Sequence, residues 1–241
     1  MNAETVDALF ERDRRSDDPA LVDATGKDFD YHWLVTTAYK SGNFLRHTGV
    51  RRDVTVGVVG EGPLALLAFC GTALLEGTTR FGPPTDLTGD ERFRTLVAPV
   101  ADLEGYDLPE GAQRVGYGDT PEEPGIHHYD AGLWSENPSF PPTSISPETS
   151  LVTDGEVTVS HGRALEAAAE VVDRYGLGDS RVAIEAPLAD PRTVIAGVVA
   201  PLLAGGTVVL PGGAAELERV DVGIGTDAGD ERLDLETVPL E

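Results

Sequence analysis

The sequence predicts an α/β fold of two pseudo-symmetric β/α lobes built on largely parallel sheets. Three observations carry that expectation. Short apolar strands alternate with amphipathic helices, the pattern of parallel strands joined by helical crossovers. Glycines sit where those helices should stop. The same order of elements also recurs: LVDATG at 21–26 faces LVTDG at 151–155, and LLEGTTRF at 74–81 faces LLAGGTVVL at 202–210. Gly26 to Gly155 and Gly77 to Gly206 are each separated by 129 residues, a self-similarity that reads as architecture.

Taken in order, Thr5 is placed to cap a first helix with Val6, Leu9 and Phe10 on its apolar face. Residues 20–23 and 28–31 read as a hairpin around Thr25-Gly26, followed by a helix from His32 to Thr48 that Gly49 ends. Val54 to Val59 is an apolar strand, Pro63 opens a helix closed by Gly77, and Thr78 to Phe81 is a strand. A helix near Asp90 to Arg94 and a strand at Thr95 to Ala98 complete a first lobe, 1–102. Residues 103–147, rich in Pro, Gly, Asp and Glu, predict an extended connection with one strand near Arg114 to Tyr117. The second lobe, 148–225, predicts a strand at Val157 and Val159 and a helix with Leu165, Ala168, Ala169 and Val172 on one face. A buried strand at Arg181 to Ala186, a helix from Pro191 to about Leu203 and a strand at Thr207 to Leu210 follow. Residues 226–241 read as a mobile acidic tail.

Composition bounds the class. Of 241 residues, 40% are hydrophobic, enough for a core, while 42 acidic against 18 basic residues give a formal charge of -24. Only Lys27 and Lys40 are lysines. An acid-coated, lysine-poor chain predicts a protein adapted to high salt, because in roughly molar salt the Debye length falls to about 3 Å and self-repulsion is screened. The same charge argues against nucleic acid and anionic membranes as partners. The longest apolar run, Pro63 to Leu75, is shorter than the roughly 20 residues that cross a bilayer. The charged start of the chain does not read as a signal peptide, and the single cysteine, Cys70, fits a reducing compartment, so the expected location is the cytoplasm.

The Ser160-His161 pair after a strand, Pro187-Leu188 after the next, and above all APLLAGGTVVLP at 200–211 resemble the adenylate-forming superfamily. Its members are the acyl-CoA synthetases, peptide-synthetase adenylation domains and luciferases. The opening ALVD at 20–23, Tyr31 and GVRRDVTVGVVG at 49–60 are similar to the start of an acyl-CoA synthetase. The resemblance covers most of 1–225 and implies the front part of that family's large N-terminal domain, with ATP or AMP and magnesium as ligands.

In that family a TSGTTGxPKG loop holds the ATP phosphates: glycines admit backbone N–H groups, hydroxyls donate, and lysine neutralises charge. The matching positions here are Thr149, Ser150, Thr153 and Gly155, the candidate phosphate-binding residues. Leu151 and Asp154 fill internal glycine positions, the Pro-Lys-Gly is missing, and Asp154 and Glu156 bring negative charge. The segment that resembles the acyl site reads Pro187-Leu188-Ala189-Asp190, with Asp190 placed to cap the next helix. No lysine follows Lys40, and the later family motifs and the C-terminal domain are missing from the sequence. No catalytic residue and no metal site is therefore assigned. His127-His128, Gly223-Ile224-Gly225 and Gly178-Asp179-Ser180 lack the spacing or context of ligands, a dinucleotide turn or an esterase elbow, and His161 reads as a structural helix start.

The resulting expectation is an acetyl-CoA synthetase-like protein with an eroded phosphate loop, acting as a non-catalytic binding or regulatory homologue. It would hold an acyl or nucleotide ligand, or a protein partner or second copy. The alternative is a minimal or split acyl-activating ligase completed by a partner chain.

Overall fold

A computed structural model describes residues 3–210 and 219–240. Among the described residues thirteen strands form two sheets. In chain order the elements are β1 (Pro19–Val22), β2 (Asp28–Asp30), α1 (Tyr31–His47), β3 (Thr55–Val58), α2 (Pro63–Leu74), β4 (Thr78–Phe81), β5 (Phe93–Pro99), β6 (Gln113–Tyr117), β7 (Ile126–His128) and α3 (Tyr129–Ser135). Next come β8 (Ser150–Thr153), β9 (Thr158–Ser160), α4 (His161–Tyr175), β10 (Arg181–Ile184), α5 (Pro191–Val194), α6 (Ala200–Ala204), β11 (Thr207–Val209), β12 (Val222–Ile224) and β13 (Glu231–Leu233).

The six-stranded sheet runs β13-β12-β10-β11-β1-β2 and the seven-stranded sheet β7-β6-β5-β3-β4-β8-β9. Pairing is parallel except within the hairpins β1–β2 and β8–β9. Neither sheet follows the sequence halves. The first hairpin joins the second half through Leu21 opposite Val208, and the second joins the first half through Thr79 opposite Val152. A cut at 103–147 into two contiguous lobes would therefore separate each hairpin from its sheet. One hydrophobic cluster unites them, holding Val56 and Val58 of β3 with Val182 and Ile184 of β10.

Small residues set the spacing between α1 and α2. The Ser41 hydroxyl donates to the Leu67 carbonyl at 2.6 Å and accepts from the Tyr129 hydroxyl at 2.6 Å. A Cβ on Gly71 would lie 2.8 Å from the Gly42 backbone nitrogen, so only glycine permits this approach.

Several expectations change. The 90–94 segment is a turn leading into β5, with the Phe93 N–H on the Asp90 carbonyl, because five residues give too few internal bonds for a helix. The first helix is a 3-10 turn, Val6–Phe10, without a side-chain cap from Thr5. The connection 103–147 carries β6, β7 and α3 and is strapped to α1. Phe140 stacks on Tyr39 at 5.7 Å, and Asn43 donates to the Asn137 and Ser139 carbonyls. The 226–240 stretch, expected as a tail, supplies β13, paired with β12. Between α5 and α6, a π turn at Ile195–Val199 widens the helix just ahead of Pro201. Proline there lacks its N–H and would crowd the Gly197 carbonyl in a regular α-helix. Pro211, the last residue of the resembling segment, lies outside the described residues.

Candidate functional site

The four candidate phosphate-binding residues come together on the β8–β9 hairpin. Ser150 pairs with Ser160 and Thr153 with Thr158, leaving a tight turn at 154–157. Thr149 is spent on the backbone, its N–H on the Ser146 carbonyl and its carbonyl receiving the His161 N–H. The Thr153 hydroxyl donates to the Val157 carbonyl at 2.7 Å and accepts from the Gly155 N–H at 3.1 Å. One oxygen of the Asp154 carboxylate accepts from the N–H groups of Glu156 at 2.8 Å and Val157 at 2.7 Å.

Every amide from Gly155 to Val157 is thus directed into the turn itself. A phosphate cradle needs such groups aimed outward at an anion. Burial works to raise the Asp154 carboxyl, but the Val157 and Glu156 N–H groups and the nearby Arg80 charge outweigh it and hold it below the ordinary carboxylate value. Gly155 has φ +103, and a Cβ there would meet the Arg80 guanidinium at 2.4 Å. Arg80 on β4 therefore packs directly over the glycine.

Behind the hairpin, Ser160 caps α4 by accepting the Arg163 N–H at 3.3 Å. His161 follows, fully buried, its Nδ1 accepting the Val6 N–H at 3.3 Å. Burial drives its pKa down to about 4, with the Asp7 charge opposing weakly, so the ring is neutral and fastens the N-terminal segment.

The acyl-segment residues lie apart, beyond β10. The Asp190 carboxylate accepts the Arg192 N–H at 2.8 Å, the cap the sequence suggested. Cys70 is buried, and burial pushes its thiol pKa up, away from reactivity. His127 contacts Gln113 at 3.1 Å and His128 lies 3.7 Å from Asp130, and no cluster of three metal-ligating side chains exists among the described residues. Gly223 and Ile224 lie in β12 beside β10, Gly225 follows it at φ +74, and Asp179 sits in a left-handed turn at φ +59. Among the described residues no helix is long and apolar enough to cross a membrane.

One concave feature escaped the sequence reading. A groove of ≈480 Å³ beside α1 is lined by Lys27, Lys40, Trp33 and Trp134 among others. The signal was in the composition, since those are all the lysines and all the tryptophans of the chain.

No family model matches the chain, and no curated protein matches its sequence. Solved structures do. It is similar to the anthranilate CoA ligase AuaEII in complex with anthranoyl-AMP, with a TM-score of 0.75 and 18% identity over 92% of this chain and 49% of that one. An acyl-CoA synthetase from Brucella canis gives 0.73 and 19% over 92% of this chain and 47% of that one. The peptide synthetase FmoA3, bound to α-methyl-L-serine-AMP, gives 0.68 and 23% over 86% of this chain and 23% of that one. The chain spans about half the length of the two ligases, 49% and 47%. Its two mostly parallel sheets thus share the fold of part of these CoA ligase, acyl-CoA synthetase and peptide synthetase structures.

Proposed function

We propose that this chain is a non-catalytic, acetyl-CoA synthetase-like protein whose phosphate loop is eroded. The observation that carries the reading is the Asp154 turn: its carboxylate and the Thr153 hydroxyl consume the N–H groups of residues 155–157. In-line adenylation needs positioned phosphates and stabilised charge. A turn that satisfies its own donors and carries two carboxylates supplies neither. The protein then acts through binding or regulation, toward an acyl or nucleotide ligand or a protein partner.

The test is ATP–pyrophosphate exchange by the purified chain in molar KCl, beside a thermal-shift titration with ATP-magnesium and AMP. We expect no exchange; a shift with ATP-magnesium or AMP, about 2.7 kcal/mol at a hundred times Kd, would identify a nucleotide ligand, and no shift would leave an acyl ligand or a protein partner. Exchange by the chain alone would overturn the reading. Exchange appearing only on mixing with a second polypeptide would favour a split ligase.

Two further readings belong with this one. The charge of -24 supports a salt-adapted, cytoplasmic protein, and equal stability in dilute buffer and molar KCl would contradict the salt adaptation. The matched segments and the reciprocal exchange of hairpins support two copies of one β/α unit related by a pseudo-two-fold axis. Superposition of the two units in an experimental structure tests this.

A further inference from the structure

The groove beside α1 concentrates what the rest of the surface lacks. In a chain of formal charge -24, both lysines and both tryptophans line one concavity. His32, Thr36 and Lys40 stand four residues apart on α1 and make one of its ridges. Phe29 and Trp33 form an aromatic wall with ring centroids 4.2 Å apart, and the Lys27 ammonium lies 4.6 Å from the Phe29 centroid. Opposite stands Trp134 on α3, 85% exposed. Trp134 thus adds an open indole to the aromatic lining, and aromatic side chains supply much of the contact area where ligands bind.

The formal charges of the groove balance, Lys27 and Lys40 against Asp30 and Asp130, but among the described residues its two ammonium groups carry no ion pair. No carboxylate lies within 4.0 Å of either ammonium among the described residues, although Asp23 feels the Lys27 charge from farther away. The two groove aspartates are each held by hydrogen bonds rather than paired with a lysine. Asp30 takes the Trp33 N–H at 2.6 Å, and Asp130 takes the Gly118 N–H at 3.0 Å and lies 3.7 Å from His128. The volume, ≈480 Å³, falls within the roughly 300–1,000 Å³ usual for small-molecule sites.

We propose that this groove binds an organic anion with an apolar or aromatic body, its charged end on Lys27 and Lys40 and its body between Trp33 and Trp134. The site is separate from the β8–β9 hairpin, and the inference does not depend on whether that hairpin holds phosphate.

Both tryptophans line the site, so intrinsic fluorescence reports occupancy directly. The purified chain is titrated with octanoate, octanesulfonate, octylammonium and octanol, at the lowest KCl concentration that preserves its circular dichroism. We expect a saturable change with the two anions and at least tenfold weaker responses to the cation and the alcohol. The Lys27→Gln/Lys40→Gln double variant is expected to lose the anion response at least tenfold, and Trp134→Phe to lose much of the signal amplitude. No saturable response to the anions, or equal responses to octylammonium or octanol, would overturn the proposal using the unaltered chain alone. An undiminished anion response in a folded double variant would do the same.

Discussion

The two hairpins β1–β2 and β8–β9 are built alike and finish differently. Each turns on an aspartate whose carboxylate gathers the next N–H groups: Asp23 takes those of Thr25 and Lys27, and Asp154 those of Glu156 and Val157. Each ends on a side-chain cap, Asp30 for α1 and Ser160 for α4. Each helix then opens on a buried ring. Tyr31 donates its hydroxyl to the Gly206 carbonyl at 2.7 Å, whereas His161 receives the Val6 N–H. The comparison teaches that the turn at 154 needs no nucleotide to explain it, since the turn at 23 uses the same device on the other sheet. The buried rings are what set the two ends apart, for one resists losing a proton and the other resists gaining one.

That difference is expected to show most strongly in pH dependence. Burial raises the Tyr31 pKa from 10.0 to about 12 against the opposing Arg14 charge, so its stabilisation is complete below pH 10 and lost as pH rises towards 12. For His161 the folded pKa is depressed from 6.5 to about 4, so its contribution is present above pH 6.5 and lost as pH falls towards 4. Each shift corresponds to about 3 kcal/mol by linkage. Denaturant titrations across pH should show both arms. His161→Gln should shrink the acid arm to what carboxylates such as Asp154 contribute and leave the alkaline arm unchanged, and an unchanged acid arm in that variant would remove the histidine from the account.

A smaller effect separates two glycines matched by the sequence. A Cβ on Gly206 would lie 2.4 Å from the Ser180 carbonyl oxygen, a backbone atom held in β-sheet pairing, whereas on Gly77 it would meet the Thr72 and Val50 side chains at 2.9 and 3.2 Å. Gly206→Ala is expected to cost about 3 kcal/mol and Gly77→Ala about 1, within the range for overpacking. Equal losses in chemical denaturation would mean the two crossings are equally tight. An effect as small as that at Gly77 is expected at the turns themselves. Asp23→Ala and Asp154→Ala should each cost about 1 kcal/mol, because they release hydrogen bonds near solvent. A much larger loss at 154 would show that Arg80 depends on that carboxylate.

Much of this was legible in the chain. Val54 to Val59, Thr78 to Phe81 and Thr207 to Leu210 read as strands because short apolar runs bounded by glycine have few other uses, and β3, β4 and β11 occupy them. The cap at Asp190 was visible because capping is local, whereas the cap expected from Thr5 did not form. The Asp90 to Arg94 segment misled because its polar residues suit a helix start and a turn equally well. The π turn before Pro201 was hidden because periodicity cannot show one extra residue in a helix.

The sequence by itself determined the main strands and helices, their order, and the concentration of lysine and tryptophan into two residues each, since propensity and composition are local properties. Only the tertiary structure decided that each hairpin belongs to the other half's sheet, and that Lys27, Trp33, Lys40 and Trp134 meet in one groove. Strand partners and groove walls are chosen by burial of the shared core, which joins residues more than a hundred positions apart, and no local pattern records that choice.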